Sequence, residues 1–515
     1  MNLRLVVVLL LSLLLSTSSF SLVNRLNALL TSTEYTLEPQ RFSEQYLLSL
    51  KLGLPEARYQ QLKELEYGSA TWQTAAQMLA RKDAEIAWQL AQFYKSKSQQ
   101  RNHQYWFNKS LELGSTDALI ASLKLNLQGQ TNQDDYLKAK AILTSLINSN
   151  EEALLLSSHL AIQYNDSAQL SHNIALLNTT KGKQLLNLIQ RYKVFGGTSS
   201  TSHIIPSSNI SLDSYPLALQ TSFSCQNKIQ FFATSIKALS QLDQHISSLA
   251  AEPFFGQQFC FSTPRFIAES ELNCSHSNKQ RIECDESIWQ KQGLGADVKY
   301  LGVLVESGGA NVNHGILYVD QQDTQQVIEH ELMHLLGFVD EYSLHANHDA
   351  CSEPTSSPIA NNVLLSHEEF YDNQQQARAV LLANLPWREL IAKDTPLTAP
   401  VKINNTIKYK IGTPKSHQNK VGLFAAKTCN KQGVLTFKPL HSSTKLEYFE
   451  EDLPKEYQQL SLNADDNYNM PSYQYNIGLA LILQKQQEQA QQWFVKSAQL
   501  ETDQHRQKVI SQGGF

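Results

Sequence analysis

From residue 22 to about 195, apolar residues recur at helical spacing, glycines are few, and short Asn, Ser, Gly or Asp breaks separate the segments. That pattern commits the N-terminal part of the chain to helices before anything else is read. The stretch GGTSSTSHIIPSSNISLDSYP, Gly196 to Pro216, is rich in Gly, Ser, Thr and Pro and reads as a linker. Beyond it the period changes. KIQFFATS, FCFSTPRFIA, RIECDE, VKYLGVLVE and NHGILYVD read as strands, IKALSQLDQHISSLAAEPFF reads as an amphipathic helix, and a further helix begins at Thr324. The expected organisation is multidomain: helices over 22–195, a linker over 196–216, an α/β (α+β) domain over 217–452, and a helical hairpin over 453–515.

The helical part repeats itself. AEIAWQLAQFY from Ala84, ALIASLKLNLQG from Ala118 and ALLLSSHLAIQY from Ala153 align at spacings of 34 and 35 residues, with second helices HQYWFNKSLELG and YLKAKAILTSLINSN between them. Small Ala at matching positions lets paired helices approach, while Leu, Trp and Tyr fill the groove. YNIGLALILQKQQEQAQQWFVKSAQLE, Tyr475 to Glu501, carries the same positions again. The pattern resembles tetratricopeptide-like helical repeats, whose period is about 34 residues. Such repeats serve as packing scaffold, and their concave faces offer a protein partner a surface.

Composition narrows the setting. Charged residues are 18% of the chain, and a formal charge of −5 leaves no basic excess to neutralise phosphates, so no nucleic-acid partner is expected. Residues 1–21, MNLRLVVVLLLSLLLSTSSFS, place one early Arg before an apolar run and small residues, the layout of a secretory signal peptide cleaved between Ser16 and Ser21. The run from Leu5 to Leu15 is shorter than the roughly 20 residues a membrane span needs, so membrane contact is expected only if this segment is uncleaved. The chain is therefore expected to be exported, periplasmic or secreted. In that compartment the six cysteines (Cys225, Cys260, Cys274, Cys284, Cys351 and Cys429) read as disulfide partners rather than a zinc cluster, since no CxxC pair occurs. Cys351 lies soon after His348 and could be tied to Cys429; six cysteines allow 15 pairings, which the sequence leaves open.

The chemistry lies in DTQQVIEHELMHLLGFVDEY, Asp323 to Tyr342. Asp323 is a natural N-cap, Val327, Leu332, Leu335 and Leu336 give the helix an apolar side, and Gly337 marks its stop. His330 and His334 stand one helical turn apart on one face, a spacing at which two imidazoles bind one Zn²⁺, with Glu331 placed to take a proton from water. Asp340, six residues after His334 and past the Gly337 break, can swing back as a third ligand, giving HExxHxxGxxD. Its rivals for that role are Glu341, His345, His348, Glu368 and Glu369. His103, His159, His172 and His505 fall on helical repeats and need no function; His314 reads as an ordinary strand residue rather than a substrate donor.

HELMHLLGFVDEY resembles the active-site motif of the IgA-peptidase family of zinc metallopeptidases, in which HExxH is followed by a Gly and then Asp-Glu-Tyr. SGGANVNHGILYV, NNVLLS, LPWRELI and KVGLFAAKTCNKQGVLTFKPL are weaker echoes, so that the likeness spans Cys225 to roughly Tyr448. The resemblance implies a metzincin-like core flanked by all-α repeats, with His330, His334 and Asp340 holding zinc and Glu331 as general base. Tyr342 matches the motif's Tyr, where it supports the ligand loop, stabilises an oxyanion or simply packs. This sequence departs from the family in having no Met between Met333 and Met470, so no methionine is expected beneath the metal.

The reaction implied is hydrolysis of a protein or peptide substrate, with Gly308 to Val319 as the edge strand along which an extended chain pairs. A competing reading is a repeat-containing adaptor whose peptidase-like domain binds zinc but does not cleave. Retention of Glu331 favours the enzyme, because a non-cleaving descendant has no use for the base.

Overall fold

The computed structural model describes residues 21–32, 43–126, 133–194, 226–275, 281–345, 347–353, 355–463 and 468–515. The leader (save Ser21), the linker and Cys225 lie outside them. The chain is a mixed α+β protein that divides into two compact units, Met1–Ser145 and Leu146–Phe515. No helix among the described residues is long and apolar enough to cross a membrane.

The first unit is helical. Ala70–Leu79, Ala84–Ser96 and Gln100–Glu112 pack around Trp72, Leu90, Trp106 and Phe107, with Ala76, Ala87 and Ala91 fully buried where helices meet. Caps set the helix starts: Ser69 accepts from the Trp72 amide and Asp83 from that of Ile86, each satisfying an otherwise orphaned donor.

The boundary between units falls inside the helical stretch, not at the composition shift after residue 195. The reason is burial. Helices Glu151–Gln163, Ser167–Ile174 and Thr180–Arg191 place Leu154, Leu170, Leu185 and Ile189 in the same core as the sheet that follows. Arg191 also pairs with Asp243 at 2.6 Å, and the Phe266 amide donates to the Tyr192 carbonyl.

That sheet contains β1 (Lys228–Ala233), β2 (Cys260–Phe261), β3 (Arg265–Phe266), β4 (Tyr300–Val305), β5 (Asn311–Asn313) and β6 (Ile316–Asp320). Its order is β2-β1-β4-β6-β5, with β3 also on β1; β1, β4 and β6 run parallel, and β5 turns back antiparallel as an edge. Alternation sorts the side chains. Phe231, Tyr300, Leu304, Leu317 and Val319 enter one core beneath helices α1 (Ile236–Ala251) and α2 (Gln325–Leu335). Phe232, Leu301, Val303, Ile316 and Tyr318 face a second core built with α3 (Tyr473–Leu483) and α4 (Gln487–Ala498). Central strands buried on both faces account for the unbroken apolar run YLGVLV.

Two sequence expectations are corrected here. RIECDE makes only an isolated bridge at Arg281, because Cys284 is tied back to Cys274 and a 3₁₀ turn begins at Glu286. FCFSTPRFIA is two short strands, not one.

Two smaller antiparallel sheets follow α2. One joins β7 (Ser357–Ala360), β8 (Val363–Ser366), β12 (Phe424–Ala426) and β13 (Leu435–Lys438); the other joins β9 (Phe370–Tyr371), β10 (Thr398–Ile403) and β11 (Thr406–Ile411). The C-terminal hairpin read from Tyr475 onward corresponds to α3 and α4, and a further helix, α5 (Gln504–Ser511), follows it.

Candidate metal centre

Helix α2 starts one residue later than its sequence suggests, and Asp323 does not cap it. Thr324 occupies the cap position without a side-chain bond, while Asp323 accepts instead from the Asp320 amide at 2.7 Å. The helix ends as expected. Gly337 has φ of 78° in the left-handed region. A Cβ there would lie 2.4 Å from the Tyr468 carbonyl carbon, so glycine is required for close packing as well as for the turn.

His330 and His334 project from α2 and are held alike. Nδ1 of His330 lies 2.7 Å from the Lys445 carbonyl, and Nδ1 of His334 lies 2.9 Å from that of Phe338. A carbonyl only accepts, so each neutral ring carries its proton on Nδ1 and presents a lone pair at Nε2. Those two Nε2 atoms are 3.2 Å apart, and Asp340 Oδ1 stands 3.0 Å from one and 3.2 Å from the other. Oδ1 is buried and lacks a hydrogen bond of acceptable geometry.

Three acceptors thus converge where no donor is supplied, which is repulsive unless positive charge sits among them. The edges of a tetrahedral site with zinc-length bonds are about 3.3 Å, so the donor set and its spacing fit that ion. The same convergence of acceptors draws a proton as well as a metal cation. Burial opposes an imidazolium at His334, yet the Asp340 carboxylate overrides it and lifts the pKa to about 9; burial likewise opposes the Asp340 charge, and the two His hold it well below the carboxylate range. Among the described residues these three form the cluster able to hold a metal.

The rival ligands go elsewhere. Glu341, only 1% exposed, is not part of the cluster and spends its carboxylate on other partners. Its Oε2 accepts from Lys438 Nζ and Thr444 Oγ1, both at 2.8 Å, and its Oε1 accepts from Asn362 at 3.1 Å and from the Tyr457 hydroxyl. Its backbone pairs with Leu446 and Lys427. Residues 444–446 therefore grip His330 through a carbonyl and Glu341 through backbone and side chain together. His345 and His348 pack ring against ring, Glu369 pairs with Lys410, and Glu368 belongs to no ligand cluster.

Glu331 is buried beside the ligands, its Oε2 unpartnered and its pKa raised by burial, with the two His opposing. Tyr342 is 44% exposed as a residue; partial burial and the nearby Asp340 charge push the pKa of its phenol far above the ordinary value. Glu331, His334, Asp340 and Tyr342 all line one cavity of about 980 Å³.

Several supports escaped sequence reading. Asn361 donates to the Leu336 carbonyl at 2.8 Å, and Asn362 bonds both amide and carbonyl of Val339, bracing the turn between α2 and Asp340. Met470 lines the cavity too, its amide on the Leu335 carbonyl at 3.0 Å. His505, read as needing no function, is also in the wall. His314 lies in the β5–β6 turn with φ of 45°, packed on Tyr475 rather than along a strand. The segment expected as a single edge strand is split, with β5 at the edge and β6 inside the sheet.

Of the cysteines, Cys351 pairs with Cys429 and Cys274 with Cys284; Cys260 is disulfide-bonded as well. The Cys351–Cys429 bond adjoins Thr428, whose hydroxyl donates to the Asp340 carbonyl at 2.9 Å and whose carbonyl accepts from Leu344. It thereby staples the loop that carries Asp340. Replacing both cysteines by Ser is expected to cost about 2–4 kcal/mol and to weaken metal retention, read by denaturant unfolding and metal analysis. Unchanged values on both would refute the stapling role.

No protein-family model matches the chain, and comparison with curated proteins finds no matching relative.

Proposed function

We propose that the protein is an exported zinc metallopeptidase with a metzincin-like core and tetratricopeptide-like helical flanks. One observation carries this reading: two imidazole Nε2 atoms and a carboxylate oxygen converge within 3.2 Å, beside a buried glutamate whose Oε2 has no hydrogen-bond partner. His330, His334 and Asp340 would hold the ion. Zinc bound there supplies a Lewis acid that polarises a carbonyl and acidifies water.

Glu331 takes the proton from the water whose oxygen attacks the scissile carbonyl. As the carbon–nitrogen bond breaks, Glu331 passes that proton to the departing amine. Burial supports this shuttle by raising the glutamate's proton affinity towards working pH. Tyr342 keeps its proton and can donate to the developing oxyanion from the cavity wall. The edge position of β5 supports pairing with an extended peptide, although Arg281 already donates to the Val312 carbonyl at 2.6 Å and would have to yield. The disulfides support an oxidising compartment outside the cytoplasm.

The test begins with metal analysis of the purified mature protein and a peptide-library digest. About one zinc per chain and defined cleavage are expected, both lost on chelation and on His334→Ala; Asp340→Ala is expected to lower zinc affinity by about tenfold or more. A protein that binds no zinc would end the reading.

A further inference from the structure

The floor of the catalytic cavity comes from a part of the chain far from the zinc motif. Tyr468, Met470, Val509, Ile510 and Phe515 line it together with Glu331, His334 and Asp340. This wall is preformed at both ends. Towards the metal, the Met470 amide bonds the Leu335 carbonyl, the Tyr300 hydroxyl donates to the Met470 carbonyl at 3.0 Å, and Tyr468 backbone lies against Gly337. Towards the rim, Asn476 on α3 accepts from the Gly315 amide at 3.2 Å and donates to the Asn313 carbonyl at 2.8 Å, with buried Glu286 accepting a further bond from it at 2.9 Å.

Charge in this wall is spent internally. Arg506 is buried, its guanidinium bonded to Glu501 at 2.8 Å and to the Asn469 carbonyl. From α5 and beyond, Val509, Ile510 and Phe515 line the cavity beside His505 and Arg506, and Phe515, 53% exposed as a residue, rests its ring against His314, Tyr475 and Arg506. The part of this apolar lining that stays in water still has burial to gain from a matching side chain.

Building on the peptidase reading, we infer that residues 468–515 form a substrate subsite, selecting peptides with a large apolar side chain next to the scissile bond. The C-terminal helices are then a specificity element of the site, not a detached scaffold.

The test uses the full mature chain and a peptide series differing at one position beside the cleaved bond. Wild type is expected to favour Phe or Leu over Asn or Asp there by about ten- to a hundredfold in kcat/KM. In the double variant Val509→Asn, Phe515→Ala the ratio should fall to about threefold or less, with zinc content unchanged. Binding of the same peptides to Glu331→Gln is measured alongside. Cleavage without apolar preference, or a preference untouched by the double variant, overturns the subsite and leaves the hydrolase. Apolar-selective binding with no wild-type cleavage supports the subsite and overturns the hydrolase. Absence of both binding and cleavage overturns both.

Discussion

Glu331→Gln is expected to lower kcat/KM for peptide hydrolysis by about 10²–10⁴-fold while zinc content stays at the wild-type level. The substitution keeps the size and position of a buried side chain, so packing of α2 should survive. It removes a buried carboxylate in the cavity wall that lies outside the ligand triad and has no hydrogen bond at Oε2. An amide cannot accept and return a proton at neutral pH, so the loss should fall mainly on kcat. Steady-state kinetics with metal analysis on the same preparation checks it. Near-wild-type turnover in a zinc-loaded Gln variant would show that another group moves the proton.

The largest stability effect is expected at Glu341, which touches no substrate. Glu341→Leu strips the acceptor from Lys438, Thr444, Asn362 and Tyr457 at once. The Lys438 side chain is 4% exposed and, among the described residues, keeps Glu447, at 3.1 Å, as its charged partner. Breaking a buried ion pair from one side costs about 3–5 kcal/mol, and orphaned hydroxyl and amide groups add to it. Because residues 444–446 also hold His330, zinc affinity should drop by about ten- to a hundredfold. Glu341→Gln, which preserves the shape and some of the bonds, should lose less on both measures. Denaturant unfolding and competitive metal titration give the two numbers, and an unfolding midpoint unmoved in the Leu variant would refute the bracing role.

What the sequence made legible was local. His330, Glu331 and His334 share one helix whose period is readable over a few turns, and Gly337 announces its end, so their convergence needed no knowledge of the rest of the chain. Asp340 lies close enough behind the Gly337 turn for short-range geometry to favour it. The cap at Asp323 misled because its carboxylate had a competing amide within three residues, at Asp320, and side-chain capping is a contest among near neighbours. Glu341 looked like a possible ligand because it adjoins one; its partners Asn362, Lys438 and Tyr457 come from three distant segments whose approach no local pattern encodes. The Cys351–Cys429 bond was suggested by proximity to the motif, whereas Cys274–Cys284 could not be separated from other pairings until the loop between β3 and β4 had a shape. The C-terminal hairpin was visible as two amphipathic helices, but its place against the sheet was not, since apolar spacing says which face is buried and not what covers it.

The Met470 bond to Leu335 also has a meaning in time. Met470 follows Asp340 by 130 residues, and residues as late as Phe515 belong to the same cavity. A chain emerging from its N-terminus can wind α2 and present the two imidazoles early, because those contacts are local. The floor arrives only after the intervening sheets have been made. A nascent chain on this fold would therefore carry its three candidate ligands before it has a complete cleft around them.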